Sequence, residues 1–203
     1  MQTILDDPIM SVKPLFHLDP AAVKDLELAL SPPRLATYVQ AGEVALRNAL
    51  DRELGSTYGP SWYDQAAHVL PPQASPRIAD ARTELQRGGY PLNTPRLVAE
   101  LTFGFWVSLV SRSADALWRA CLHRAFRHAR VRRDEVHRHL DHLRRLRNRI
   151  AHHEPIFGRH LAADHDSLLR VVGWICPTTR DWIAHHSRVP PLLALRPAEC
   201  ARF

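Results

Sequence analysis

Asp134-Glu135-Val136-His137-Arg138-His139-Leu140-Asp141-His142-Leu143-Arg144-Arg145-Leu146-Arg147-Asn148-Arg149-Ile150-Ala151, continuing as His152-His153-Glu154-Pro155-Ile156-Phe157, carries the helical pattern around which the chain is organised. At about 100° per residue from Val136, Leu140 falls near 40°, Leu143 near 340° and Ile150 near 320°, a single apolar stripe of an amphipathic helix. The helix is expected to begin at Asp134 and to end before Pro155, which disfavours helical geometry at Glu154. Arg147 falls near 20° on the same wheel (about 100° per residue), in the middle of the stripe expected to be buried. A guanidinium there is costly unless it is paired or faces a cavity. Arg147 is therefore either half of a structural ion pair, with Glu43 or across a dimer, or a functional group.

Outward from this helix the chain announces further helices with one device. Asp19-Pro20, Ser31-Pro32, Ser75-Pro76 and Thr94-Pro95 each pair a capping oxygen with proline at the expected first helical position. Helices are expected over about 20–30, from Ser31 to Leu54 or the Gly55–Gly59 region, and over about 76–87, ending at Gly88-Gly89. The second of these carries the stripe Leu35, Val39, Leu46, Ala49 and Leu50. The segment 59–74, with Trp62, Tyr63 and Pro71-Pro72, reads as a loop with an anchoring aromatic. A helix over about 95–111 is apolar nearly all round and belongs at the centre, with Trp106 in the core. Others follow over about 114–128, 164–175 and 178–187. No run alternates with period two. The expectation is an all-α fold, an antiparallel helical bundle without a sheet. It comprises an irregular segment 1–18, one domain over 19–188, and a proline-containing tail over 189–203 that trails across the surface.

The chain has 203 residues, 45% of them apolar and 24% charged, enough to bury a core as one domain. Its best apolar run, Phe103–Val110, falls far short of the ~20 residues of a membrane span. Asp6, Asp7 and Pro8 stand where a signal peptide would carry a basic start, so a cytoplasmic protein is expected. Cys121, Cys176 and Cys200 have no paired spacing and read as small buried apolar residues, not as a disulfide framework or zinc site. His137, His139 and His142 do not share the i, i+4 face of a metal site, and neither metal nor cofactor is expected.

Charge is unevenly spread. The net is +6, yet Arg112–Arg149 holds twelve arginines against Asp115, Asp134, Glu135 and Asp141. That surplus of eight leaves the rest of the chain slightly acidic. Only Lys13 and Lys24 are lysines, and arginine's planar fork suits phosphate. Coding bias explains arginine usage as such. A basic stripe confined to one region is the footprint of a nucleic-acid partner, or else a solvated helical face.

Arg147, Asn148 and His152 form an Arg-Asn-three residues-His string, which continues as His-Glu-Pro-Ile-Phe. This resembles the signature of the HEPN superfamily and, in its continuation, the Abi-like (abortive infection) branch. Three more segments are similar to Abi-like proteins: Glu43–Leu50 (EVALRNAL), Ala99–Trp106 (AELTFGFW) and Gly173–Pro177 (GWICP), so that the likeness spans about 25–190. The resemblance implies a HEPN-like bundle and a phage-defence or toxin-type ribonuclease that needs no metal. It also implies a homodimer that brings two copies of the motif into one cleft, and an antitoxin or regulatory RNA as a further possible partner.

The residue types suit that chemistry. Histidine titrates near neutrality and can take the ribose 2′-hydroxyl proton or give one to the leaving 5′-oxygen. A desolvated guanidinium stabilises the charged phosphorane. Asparagine can orient the histidine or a phosphate. Arg147, Asn148 and His152 are the catalytic candidates, with Arg144, Arg145, Arg149 and His153 for RNA contact and Glu43, Arg47 and Glu154 in support. Asn148 and His152 share a face, whereas His152 lies about 140° from Arg147. Convergence requires Arg147 to reach around, the helix to loosen before Pro155, or two chains to complete one site. Arg147 with His153 satisfies a looser spacing; His152 is preferred because it fits the family pattern. A non-catalytic RNA-binding module is the competing function, and a dimer merely locked by Arg147 is a third.

Overall fold

A computed structural model describes residues 32–152, 154, 156 and 159–194. The expected segment 1–18, the helix over 20–30, the caps at Asp19 and Ser31, Cys200, and both His153 and Pro155 lie outside them. The protein is all-α, with no strand among the described residues. In chain order the helices are α1 (Pro32–Tyr58), α2 (Ala66–Val69), α3 (Ala74–Arg87), α4 (Thr94–Glu100), α5 (Phe103–Ser108), α6 (Asp115–Ala120), α7 (Arg133–Ala151), α8 (Leu161–Ile175), α9 (Pro177–His186) and α10 (Val189–Ala194). Short 3-10 turns occupy Trp62–Gln65, Arg112–Ala114 and Leu122–Phe126.

Helices α1, α7 and α8 pack on one another, with α5 against α1 and α7. Val39, Leu46, Ala49, Leu50 and Leu54 of α1 are buried, as the stripe predicts. The closest approach is at Gly42, where a Cβ would collide with Leu168 Cδ1 of α8. The α3 terminus closes as expected: Gly89 adopts φ +66, Tyr90 N–H donates to Leu85 O and Gly89 N–H to Gln86 O.

Several expectations are corrected. The apolar run 95–111 is two helices, not one. Leu101 leaves helical geometry at ψ 123, and Thr102 caps α5 by accepting from Phe105 N–H. The break is stabilised by burial: Trp106 Nε1–H donates to Leu101 O at 3.2 Å, while its ring lies edge-on to Phe105 (5.1 Å) and Trp62 (6.1 Å). Trp106 is fully buried at the centre, as expected. The segment 114–128 is likewise divided, at Cys121. Ser75 and Thr94 lie inside their first turns; the cap of α4 is Asn93, accepting from Arg96 N–H, and Gln73 precedes α3. Residues 59–74 are not all loop, since Trp62 is buried with Nε1–H donating to Asp51 Oδ1 and α2 follows. The start of the expected tail is folded: α10 packs on α8, with Val189 buried.

Candidate functional site

Helix α7 forms because its apolar positions repeat at helical spacing, and its C-terminal end builds a small second core. Leu146 and Ile150 pack there with Val39 of α1, Ile156, Leu161 of α8 and Val189 of α10. This core draws the buried face toward Leu146 and away from Arg147. Arg147 is thus not in the buried stripe; its side chain is 42% exposed. It occupies the rim of a groove of about 310 Å³ between α1, α4 and α7, lined by Gln40, Glu43, Arg47, Ala99, Arg147 and Ala151 among others.

Glu43, 18% exposed, faces Arg147 with Oε2 3.9 Å from Nε. Burial raises its carboxyl above the ordinary range, opposed by the charges of Arg147 and then Arg47 and by the Phe103 backbone N–H. Of the two origins for Arg147 left open by the sequence, the pair with Glu43 is present, and it borders a groove. Three segments meet here: Glu43 and Arg47, Ala99 and Phe103, and Arg147. The groove therefore joins residues far apart in sequence.

The helix does end early. Ala151 is its last residue, and His152 follows with φ −93, ψ 10, its N–H donating to Asn148 O at 2.9 Å. His152 is exposed, next in sequence to the groove residue Ala151, and Asn148 is half-buried. Neither Asn148 nor His152 lines the groove with Arg147. Glu154 supports the turn, since its N–H donates to Arg149 O at 2.8 Å and its carboxylate lies 3.5 Å from Arg149 Nε. The RNA-contact candidate His153 is outside the described residues.

Much of the basic stripe is paired internally. Asp141 receives Arg144 at 2.7 Å and Arg145 at 2.9 Å. Burial would raise the Asp141 carboxyl, but hydrogen bonds and charge from these two arginines hold it below its ordinary range. Asp115 pairs with Arg119 and Arg133, and buried Glu53 with Arg52, Arg124 and Arg127. Arg112, Arg130 and Arg138 form no ion pair among the described residues.

The histidines of α7 have separate duties. His142 Nε2 meets the buried carboxylate of Asp164, which Arg159 also grips at 2.9 Å. His139 bonds Ser167 and abuts Trp174, and burial lowers its pKa, as it does that of His137. Cys121 is buried as expected, whereas Cys176 is half-buried and caps α9. The signal for the groove that sequence reading missed is the polar row Gln40, Glu43 and Arg47, at i, i+3 and i+7 along α1.

No protein-family model, curated protein or solved structure matches the chain. No helix among the described residues is long and apolar enough to cross a membrane.

Proposed function

We propose that this protein is a HEPN-like endoribonuclease of the abortive-infection or toxin type, cytoplasmic, that cleaves RNA without a metal as a homodimer. The observation that carries the reading is Arg147, half-exposed on a groove and held by Glu43, at the helix end where His152 stands exposed. In the proposed reaction the 2′-oxygen attacks the adjacent phosphorus and the P–O5′ bond breaks. The 2′-hydroxyl loses its proton and the 5′-oxygen gains one, with His152 serving one of these transfers. Arg147, with Glu43 beside it, stabilises the charge gathered on the phosphoryl oxygens. Asn148, one turn before His152, orients the imidazole or a phosphate.

Because Arg147 and His152 line no common groove within one chain, the proposed cleft takes Arg147 from one chain and His152 from the other. Cleavage in EDTA should yield 2′,3′-cyclic phosphate and 5′-hydroxyl ends, and DNA should resist because it lacks the attacking hydroxyl. Mixing Arg147→Ala with His152→Ala chains should restore activity in the heterodimer, whereas failure to restore it points to self-contained sites. Strict dependence on magnesium defeats the mechanism. The second reading, an RNA-binding module, rests on the arginine surplus over Arg112–Arg149, of which Arg138 and Arg145 are exposed on α7, and would show salt-sensitive binding with no cleavage.

A further inference from the structure

We propose a second site, a phosphate-binding pocket on the face of α1 beyond the Arg147 groove. A cavity of about 360 Å³ is lined by Asn48 and Arg52 of α1, Arg127 and His128 after the last 3-10 turn, and Cys176 and Thr179 at the start of α9, with Ala45, Ala49 and Ile175 as its apolar remainder. No carboxylate lines it. The acid that these arginines pair with, Glu53, is buried and shared among three guanidiniums, with Arg127 at 3.0 Å, Arg124 at 3.3 Å and Arg52 at 3.4 Å. Of the three, Arg52 and Arg127 line the cavity and Arg124 does not, so the single carboxylate of Glu53 leaves the lining pair with a surplus positive charge. The arginines are also fixed in place. Glu53 anchors them from behind, and Arg124 further donates to Thr57 Oγ1.

Both Arg52 and Arg127 keep about half of their side-chain surface open, at 54% and 53%. A planar fork held from one side and open on the other is the geometry that receives a phosphate. The wall is rigid: His128 N–H donates to Trp174 O at 3.1 Å, fastening the turn to the end of α8. The Cys176 thiol already responds to this environment. The polar groups of Thr179, and after them those of Thr178 and the charge of Arg52, hold it below the ordinary thiol range against the opposing effect of burial. The ligand class is a phosphate group, free or carried on an RNA backbone. The pocket is independent of the cleavage reading, since it shares no residue with the Arg147 groove.

Cys176 provides the readout. In full-length protein carrying Cys200→Ser, with Cys121 buried, iodoacetamide modification of Cys176 is followed by intact mass. Inorganic phosphate should slow modification several-fold and saturably, and sodium chloride of equal ionic strength should not. Arg52→Gln and, as a variant of an exposed side chain, His128→Ala should each weaken phosphate protection at least several-fold, while Arg138→Gln leaves it intact. A short RNA that protects alongside inorganic phosphate identifies the backbone as a source; protection by phosphate but not by RNA identifies a free phosphate. Absence of phosphate protection, equal protection by chloride, protection by RNA alone, or protection undiminished in both Arg52→Gln and His128→Ala overturns the proposal.

Discussion

Arg147→Ala removes one partner of a pair whose charged atoms lie 3.9 Å apart. At that separation the attraction is about 1 kcal/mol in a water-like medium and about 4 kcal/mol at the effective dielectric of a protein surface. The 42% exposure of Arg147 places the pair toward the wetter limit, and ordering a long side chain offsets part of the gain. The coupling between Arg147 and Glu43 should therefore be about 0.5–1 kcal/mol, and Arg147→Ala should remain folded. Glu43→Gln should be neutral or slightly stabilising near neutral pH, because burial already outweighs the arginines in setting its ionisation. Urea unfolding of the wild type, Arg147→Ala, Glu43→Gln and the double variant, followed by circular dichroism, gives the coupling as a double-mutant cycle. A coupling above about 3 kcal/mol would refute the reasoning, since values of that size belong to buried pairs and would make Arg147 a structural lock.

The packing and the ionisable groups set four further outcomes. Trp106→Ala should cost about 3–5 kcal/mol and lower Tm by on the order of 10 °C, because a fully buried ring and the partner of Leu101 O are lost together. Trp182→Ala, at a ring 58% exposed, should shift stability by less than about 0.5 kcal/mol, and equal effects in the two variants would contradict the assigned core. Gly42→Ala sets a gain of about 1 kcal/mol from replacing a mid-helix glycine against the displacement of Leu168 Cδ1, so the net change should stay within about 1 kcal/mol, and Leu168→Ala in the same chain should give less than the additive loss; strict additivity would deny the contact. Burial depresses His137, His139 and His165 below the ordinary 6.5, so the unfolded chain binds more protons than the folded one as pH drops below that value. Stability should fall from pH 6.5 toward 5, less steeply in His165→Gln. Glu43, raised above its ordinary range, acts in the opposite sense, so the slope should be measured in Glu43→Gln.

What could be read from the sequence was what depends on near neighbours. The period of Val136, Leu140, Leu143 and Ile150, together with Pro155, gave α7 to within a few residues, and the all-round apolarity near Trp106 gave the centre. The break at Leu101–Thr102 was hidden because a capping threonine inside an apolar run looks like helix interior until the Trp106 indole is seen to occupy the vacated carbonyl. Arg147 was assigned to the buried stripe because the wheel knows nothing of the second core, assembled from Val39, Ile156, Leu161 and Val189, that selects Leu146 instead. The arginine stripe looked more available than it is, since Glu53 lies 74 residues from the Arg127 it binds. Glu43 was legible as a candidate partner for Arg147, but its place beside Phe103 and Ala99 was not.

The most direct test of the central claim is the single-turnover rate of RNA cleavage in EDTA, measured for the wild type and His152→Ala at saturating protein. Proton transfer by His152 predicts a loss of about 10²–10⁴ in rate, with RNA affinity essentially retained. An undiminished rate in His152→Ala, with an inactive His153→Ala, would assign the chemistry to the other histidine. Absence of cleavage by the wild type under these conditions would contradict the ribonuclease account itself.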